Sequence, residues 1–245
     1  MFKPSFNVAE FVGLLCANLI AVRKQKFMGY TLEWMKEPVS KLQMFRVRDG
    51  FSDETLDRIN ALLEERQRQE INRYFSQCFE CGEGFEQTVT PHFLNARLLS
   101  VNISTSCGGS CPNYSDNPLN LDIESGKLLE LEDLLWLKSG KPHLPRKANG
   151  NRESYEYKEK ILAPWFIHTM IRLYPREMEF YTKDEDACNY TNAEIWKFDS
   201  WYLTPKGIYI GAYTEPVEHC EYPDWSILPW RIVKKHPGRL KGKLP

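Results

Sequence analysis

Between Ser52 and Phe75 the apolar residues Leu56, Ile59, Leu63, Ile71, Tyr74 and Phe75 recur at three- and four-residue spacing, the period of an amphipathic helix. Ser52 is placed to cap it, Asp53 and Glu54 sit where the helix dipole favours negative charge, and Glu64 precedes Arg68 by one turn. One long helix with a single apolar stripe must bury that stripe against another layer. The flanking segments supply it. Residues 27–34 and 41–47 are rich in aromatic and branched side chains and are separated by a turn at Pro38, so both are predicted as strands.

The rest of the chain continues the mixture. Gly82 and Gly84 end the helix, and residues 93–105 read as a strand that runs into the turn Cys107-Gly108-Gly109-Ser110-Cys111-Pro112-Asn113. Residues 119–123 alternate like a half-buried strand, Ser125-Gly126 makes a tight turn, and 128–131 is its hairpin partner or short continuation. A short helix is expected over 132–137, an exposed basic loop over 138–151, and a helix centred on Leu162, Trp165, Phe166, Thr169, Met170 and Leu173, with Pro164 in its first turn or at a kink. Strands are expected over 194–203 and 207–213, joined by Thr204-Pro205-Lys206-Gly207. Helices between groups of paired strands predict an α+β fold, an antiparallel sheet packed with helices in a single compact domain. Residues 1–44 form an N-terminal helix and strands packed on a main domain of residues 45–232, and 233–245 is a basic flexible tail.

Several classes of function are excluded. With 42% hydrophobic and 13% aromatic residues the chain has ample material for a core. Its 32 basic and 33 acidic residues leave a net charge of −1, the opposite of a nucleic-acid footprint. Crossing a bilayer takes about 18 uninterrupted apolar residues, and the best stretch, 11–22, contains Asn18. As a secretory leader that stretch is preceded by Glu10 and followed by Arg23, Lys24 and Lys26 instead of a small-residue cleavage site. A lipoprotein reading at Cys16 meets the bulky Leu15. A buried helix carrying Val8, Phe11, Val12, Leu15, Leu19 and Val22 is the expectation.

The seven cysteines are many for a reduced compartment. Setting Cys16 aside as a small buried hydrophobe leaves Cys78, Cys81, Cys107, Cys111, Cys188 and Cys220 as disulfide candidates, and points to a periplasmic or extracellular protein; a cytoplasmic protein with unpaired thiols is the alternative. Cys78-x2-Cys81 with Cys107-x3-Cys111 also offers four zinc ligands, but a whole predicted strand separates the pairs, so no metal and no other cofactor is expected. Cys78 follows a helix instead of opening one and lacks the thiolate stabilisation of a redox motif. Ser110 matches no nucleophile-elbow pattern. His92, His143, His168, His219 and His236 stand at no ligand spacing, and Glu215, Glu218, Glu221 and Asp224 lack a calcium-loop spacing. The last quarter is dense in aromatics. Most belong in a core, and Tyr222 and Trp225 are the binding candidates among them.

Two segments resemble the RsiV-like C-terminal domain family. The first runs from Leu99 through Gly108-Gly109-Ser110-Cys111-Pro112-Asn113, then Leu119-Asn-Leu-Asp122, Gly126-Lys127 and Leu131-Glu-Asp-Leu-Leu135. It is similar to that family's strand, Gly-Gly-x-His-Pro-Asn turn, second strand, Thr-Gly-Lys turn and Leu-x-Asp-Leu helix start. The second, Trp201 to Ile210 with Ile227-Leu-Pro-Trp230, is similar to its terminal strand pair and closing motif. The family includes lysozyme-sensing anti-sigma factors and a domain attached to peptidoglycan deacetylases. The resemblance therefore implies an extracytoplasmic, non-catalytic binding domain, an inhibitor or immunity protein whose partner is a lysozyme-like or other cell-wall hydrolase or a secreted toxin, with Gly108, Gly109 and Asn113 at its binding surface. Cys111 stands where the family usually has histidine, and the resemblance implies a disulfide to Cys107 in its place. A cell-wall or glycan-binding accessory module, and an enzyme with a dispersed hydrolytic or zinc site, are the alternative readings.

Overall fold

The computed structural model describes residues 19–75, 85–107, 113–140, 142, 152–180, 189–212 and 223–245. The chain divides into two units, Met1–Leu128 and Leu129–Pro245. Its architecture is α+β: three antiparallel sheets with helices.

In the first unit, β1 (Ile20–Phe27), β2 (Tyr30–Lys36) and β3 (Gln43–Val47) form a meander. The expected single strand over 27–34 is broken by a tight hairpin, in which Met28 and Gly29 take φ of 50° and 90° and Phe27 pairs with Tyr30. Positive φ at both central residues matches the right-handed twist of the flanking strands. Val22, expected at the end of a helix, lies in β1, while the helix positions before residue 19 fall outside the described residues.

Helix α1 (Asp53–Arg73) follows as expected, with the Ser52 side chain accepting from the Thr55 amide and Arg68 3.6 Å from Glu64. It is tied to the meander by side-chain amides. Asn60 Oδ1 accepts from the Val47 amide at 2.8 Å and Asn60 Nδ2 donates to the Val47 carbonyl at 2.9 Å, so Asn60 completes the open edge of β3 as a neighbouring strand would. Buried Gln67 accepts from Arg46 at 3.0 Å and donates to the Met35 carbonyl at 3.3 Å.

The second sheet has β4 (Phe85–Leu94), β5 (Leu98–Cys107), β7 (Leu119–Asp122) and β8 (Lys127–Leu128) in that order, with β6 (Asn113–Asp116) also paired to β5. The strand expected over 93–105 is the junction of β4 and β5, turned at Asn95, whose Oδ1 accepts from the amides of Arg97 and Leu98. Leu32, Trp34, Phe45, Ile59, Leu63, Leu99, Val101, Ile103 and Leu121 share one buried core. Full burial of each such side chain is worth roughly 1.5–3 kcal/mol.

In the second unit, α2 (Leu131–Leu134) is followed by α3 (Arg152–Tyr157), a π-helical turn (Lys158–Leu162) and α4 (Ala163–Leu173), and then by α5 (Pro175–Phe180). Phe166 packs edge-on to Trp196 and Phe198 at ring distances of 4.8 and 5.6 Å. The third sheet has β10 (Gly207–Ile210) between β9 (Trp201–Leu203) and β11 (Ile227–Pro229), and α6 (Trp230–Val233) closes it. The segment after Val233, expected as a flexible tail, folds back onto α2. Leu135 bridges Pro237, the Gly238 amide donates to the Leu134 carbonyl at 3.0 Å and the Leu240 amide to the Asp133 carbonyl at 2.8 Å.

Candidate functional site

Alternation along β5 builds a two-sided strand. Leu99, Val101 and Ile103 enter the core, so Ser100, Asn102 and Ser104 share the opposite face. Register brings Asp116 of β6 and Thr88 of β4 beside Ser104, Thr90 beside Asn102, and Asn120 of β7 beside Ser100. The polar groups are joined. Ser104 Oγ donates to Asp116 Oδ1 at 2.5 Å, Asn102 Nδ2 donates to the same oxygen at 3.2 Å and to Ser104 Oγ at 3.1 Å, and buried Ser100 donates to buried Asn120 at 2.5 Å. Asn102 Oδ1 has no hydrogen-bond partner. His92 falls at the irregularity of β4 between Pro91 and Phe93. Burial pushes its imidazole down to about 4, with the Asp116 carboxylate pulling the other way.

Cys107, the last residue of β5, pairs with Phe85 of β4 on one side and with Asn113 of β6 on the other. Gly108 and Gly109 fall outside the described residues, as do Cys78, Cys81, Cys111, Cys188, Cys220 and Tyr222. Asn113 opens β6 in the first unit. Trp225 lies in the second, before β11, half-buried with its ring 5.5 Å from Tyr174 and 5.6 Å from Tyr190, and its indole Nε1 is buried without a partner.

The sequence reading missed both His92 with its Asp116 neighbour and a buried acid, Glu132. The first was legible in principle as a hydroxyl and amide alternation, Ser100, Asn102, Ser104, opposite the apolar one. Glu132 is 5% exposed, its Oε1 has no partner, and burial raises its carboxyl above the ordinary value. Beside it the Tyr157 hydroxyl accepts from the Leu137 amide at 3.1 Å, and burial pushes that phenol up to about 12.

No protein-family model matches the chain, and no curated protein does. Its structural neighbours are DUF3298 family proteins. A DUF3298 family member from Bacteroides fragilis is similar at 11% identity over 90% of this chain and 92% of that chain, with a TM-score of 0.43. A DUF3298 family protein from Pseudomonas aeruginosa is similar at 16% identity over 86% and 87% of the two chains, with a TM-score of 0.32. Among the described residues no helix is long and apolar enough to cross a membrane.

Proposed function

We propose that this chain is a non-catalytic binding protein of the cell envelope, which engages a protein partner through the polar face of β5 and the Gly108-Gly109 segment that follows it in sequence. The partner class is a lysozyme-like or other cell-wall hydrolase, or a secreted toxin, and the outcome of binding is inhibition or immunity. The observation that carries the reading is the ordered hydrogen bonding of that face, where Asp116 accepts from both Ser104 and Asn102 and so fixes all three side chains. The face thus offers a fixed hydrogen-bonding geometry built by Ser104, Asn102 and Asp116. The short motifs shared with the RsiV-like family supply the partner class, and the cysteine content supports the compartment.

The test is binding of the purified, oxidised chain to a panel of lysozymes, amidases and secreted toxins, read together with each enzyme's residual activity. Tight binding with lost activity is expected, and Asp116→Ala and Asn102→Ala should each weaken it roughly tenfold, the scale of one hydrogen bond to a charged group. Absence of binding across the panel, or binding only to soluble peptidoglycan fragments, overturns the reading.

A further inference from the structure

The strand edges of the first unit are guarded unequally. An open edge is a row of unpaired backbone donors and acceptors, and folded chains blunt it with lysines, bulges, short strands or a cover. On β1 the guards are Lys24 and Lys26, both mostly exposed, and the irregularity between Ala21 and Arg23. Asn60 closes β3, while β6 and β8 are only four and two residues long.

Over residues 86–90, β4 has no such guard. The run holds an unbroken register with β5, from Glu86 opposite Ser106 to Thr90 opposite Asn102, and the strand's irregularity comes only afterwards, between Pro91 and Phe93. It contains no lysine and no proline. Gln87 and Val89 hold it down: Gln87 Oε1 accepts from the Gln43 amide at 3.1 Å, and Val89 packs on the core. Glu86, Thr88 and Thr90 stand exposed on the other face. Among the described residues, no backbone group of the run bonds outside its ladder with β5, so the far edge is open.

That edge is complementary to itself. Hydrogen-bonding direction alternates along a strand, so two identical edges paired antiparallel about a twofold axis set one residue opposite its own copy. About Thr88, the midpoint of the run, threonine meets threonine, Glu86 meets Thr90 and Gln87 meets Val89. No like charges meet, and a threonine hydroxyl can donate to a carboxylate. The same operation on β1 about Lys24 or Gln25 brings lysine against lysine. We propose that two copies of this chain associate through residues 86–90 of β4, paired antiparallel about Thr88, so that their second sheets become one. The axis of such a pair is normal to the sheet, which puts the β5 polar faces of both copies on the same side. A partner then meets two such faces, a consequence that rests on the proposed binding role; the pairing itself does not.

The test is sedimentation equilibrium of the intact chain from micromolar to millimolar concentration, with amide hydrogen exchange followed at both extremes. A reversible dimer is expected, weak because so short an edge buries less than the roughly 800 Å² per partner of a standard interface. Exchange should slow with concentration within residues 86–90 and not in β1, a reading that needs no variant. Thr88→Lys, at an exposed position, sets like charges across the axis and should weaken the dimer about fivefold, the scale of one unfavourable cross-strand pair. Thr88→Glu should do the same, and mixing the two variants should restore association. A chain that stays monomeric at millimolar concentration overturns the pairing, whether or not β4 accepts a strand from another protein. So does a dimer whose exchange slows elsewhere, or one that both variants leave unweakened.

Discussion

His92 sits at the irregularity of β4 with its imidazole held down at about 4, chiefly by burial, against an ordinary value of 6.5. A group whose folded pKa lies below its unfolded value lends stability that is present above the unfolded value and is lost as pH falls through the folded one. The neutral imidazole should thus support the first unit above pH 6.5 and cease to do so by about pH 4. His92→Asn removes the titration while keeping a polar side chain of similar reach. Urea unfolding at a series of pH values across this window should show the wild type weakening more steeply than the variant, and parallel profiles would remove His92 from the acid response. The alternation of Ser100, Asn102 and Ser104 was legible in the sequence, but the burial that lowers the His92 imidazole follows from packing, which periodicity does not encode.

At the scale of elements, what was legible followed from local chemistry. Helix α1 carried its cap, its dipole-matched acids and its stripe in one continuous run, and the folded helix opens at Asp53 behind the Ser52 cap as read, while the expected end at Gly82 and Gly84 lies outside the described residues. The β7–β8 hairpin was likewise readable from Ser125-Gly126. The β1–β2 and β4–β5 hairpins were obscured because their turns contain Met28 and Asn95-Ala96-Arg97, residues that also occur inside strands. The segment after Val233 read as a tail because its cationic residues suggested solvent. Its tie to α2 is instead made by backbone hydrogen bonds together with the ion pair of Arg239 with buried Asp133 at 2.9 Å. Gly238 is the residue that permits it: a Cβ there would lie 2.2 Å from the Glu132 carbonyl oxygen and 2.5 Å from the Asp133 carbonyl carbon. Gly238→Ala must push the strap off α2, and overpacking of this kind costs about 1–3 kcal/mol. A lowered unfolding midpoint is expected, together with faster hydrogen exchange at the Gly238 and Leu240 amides. Unchanged exchange would mean that the strap contributes nothing to α2.

For the whole molecule, the compartment is the question that one chemical measurement can decide. Of the cysteines, Cys107 lies among the described residues, paired in the second sheet with Phe85 and Asn113. Setting Cys16 aside, the seven cysteines leave an even number for disulfides. Thiol titration of denatured, unreduced protein prepared from its native compartment should therefore find a single free thiol, rising to seven after reduction. Each bond that closes a loop of this kind stabilises by about 2–4 kcal/mol, so reductant should also lower the unfolding midpoint of the first unit. Seven free thiols before reduction would instead mean a reducing compartment and would remove the main chemical support for an envelope protein. Release of zinc upon thiol modification would separate the two remaining accounts, because Cys78, Cys81, Cys107 and Cys111 would then be ligands and the partner-binding segment would rest on a metal.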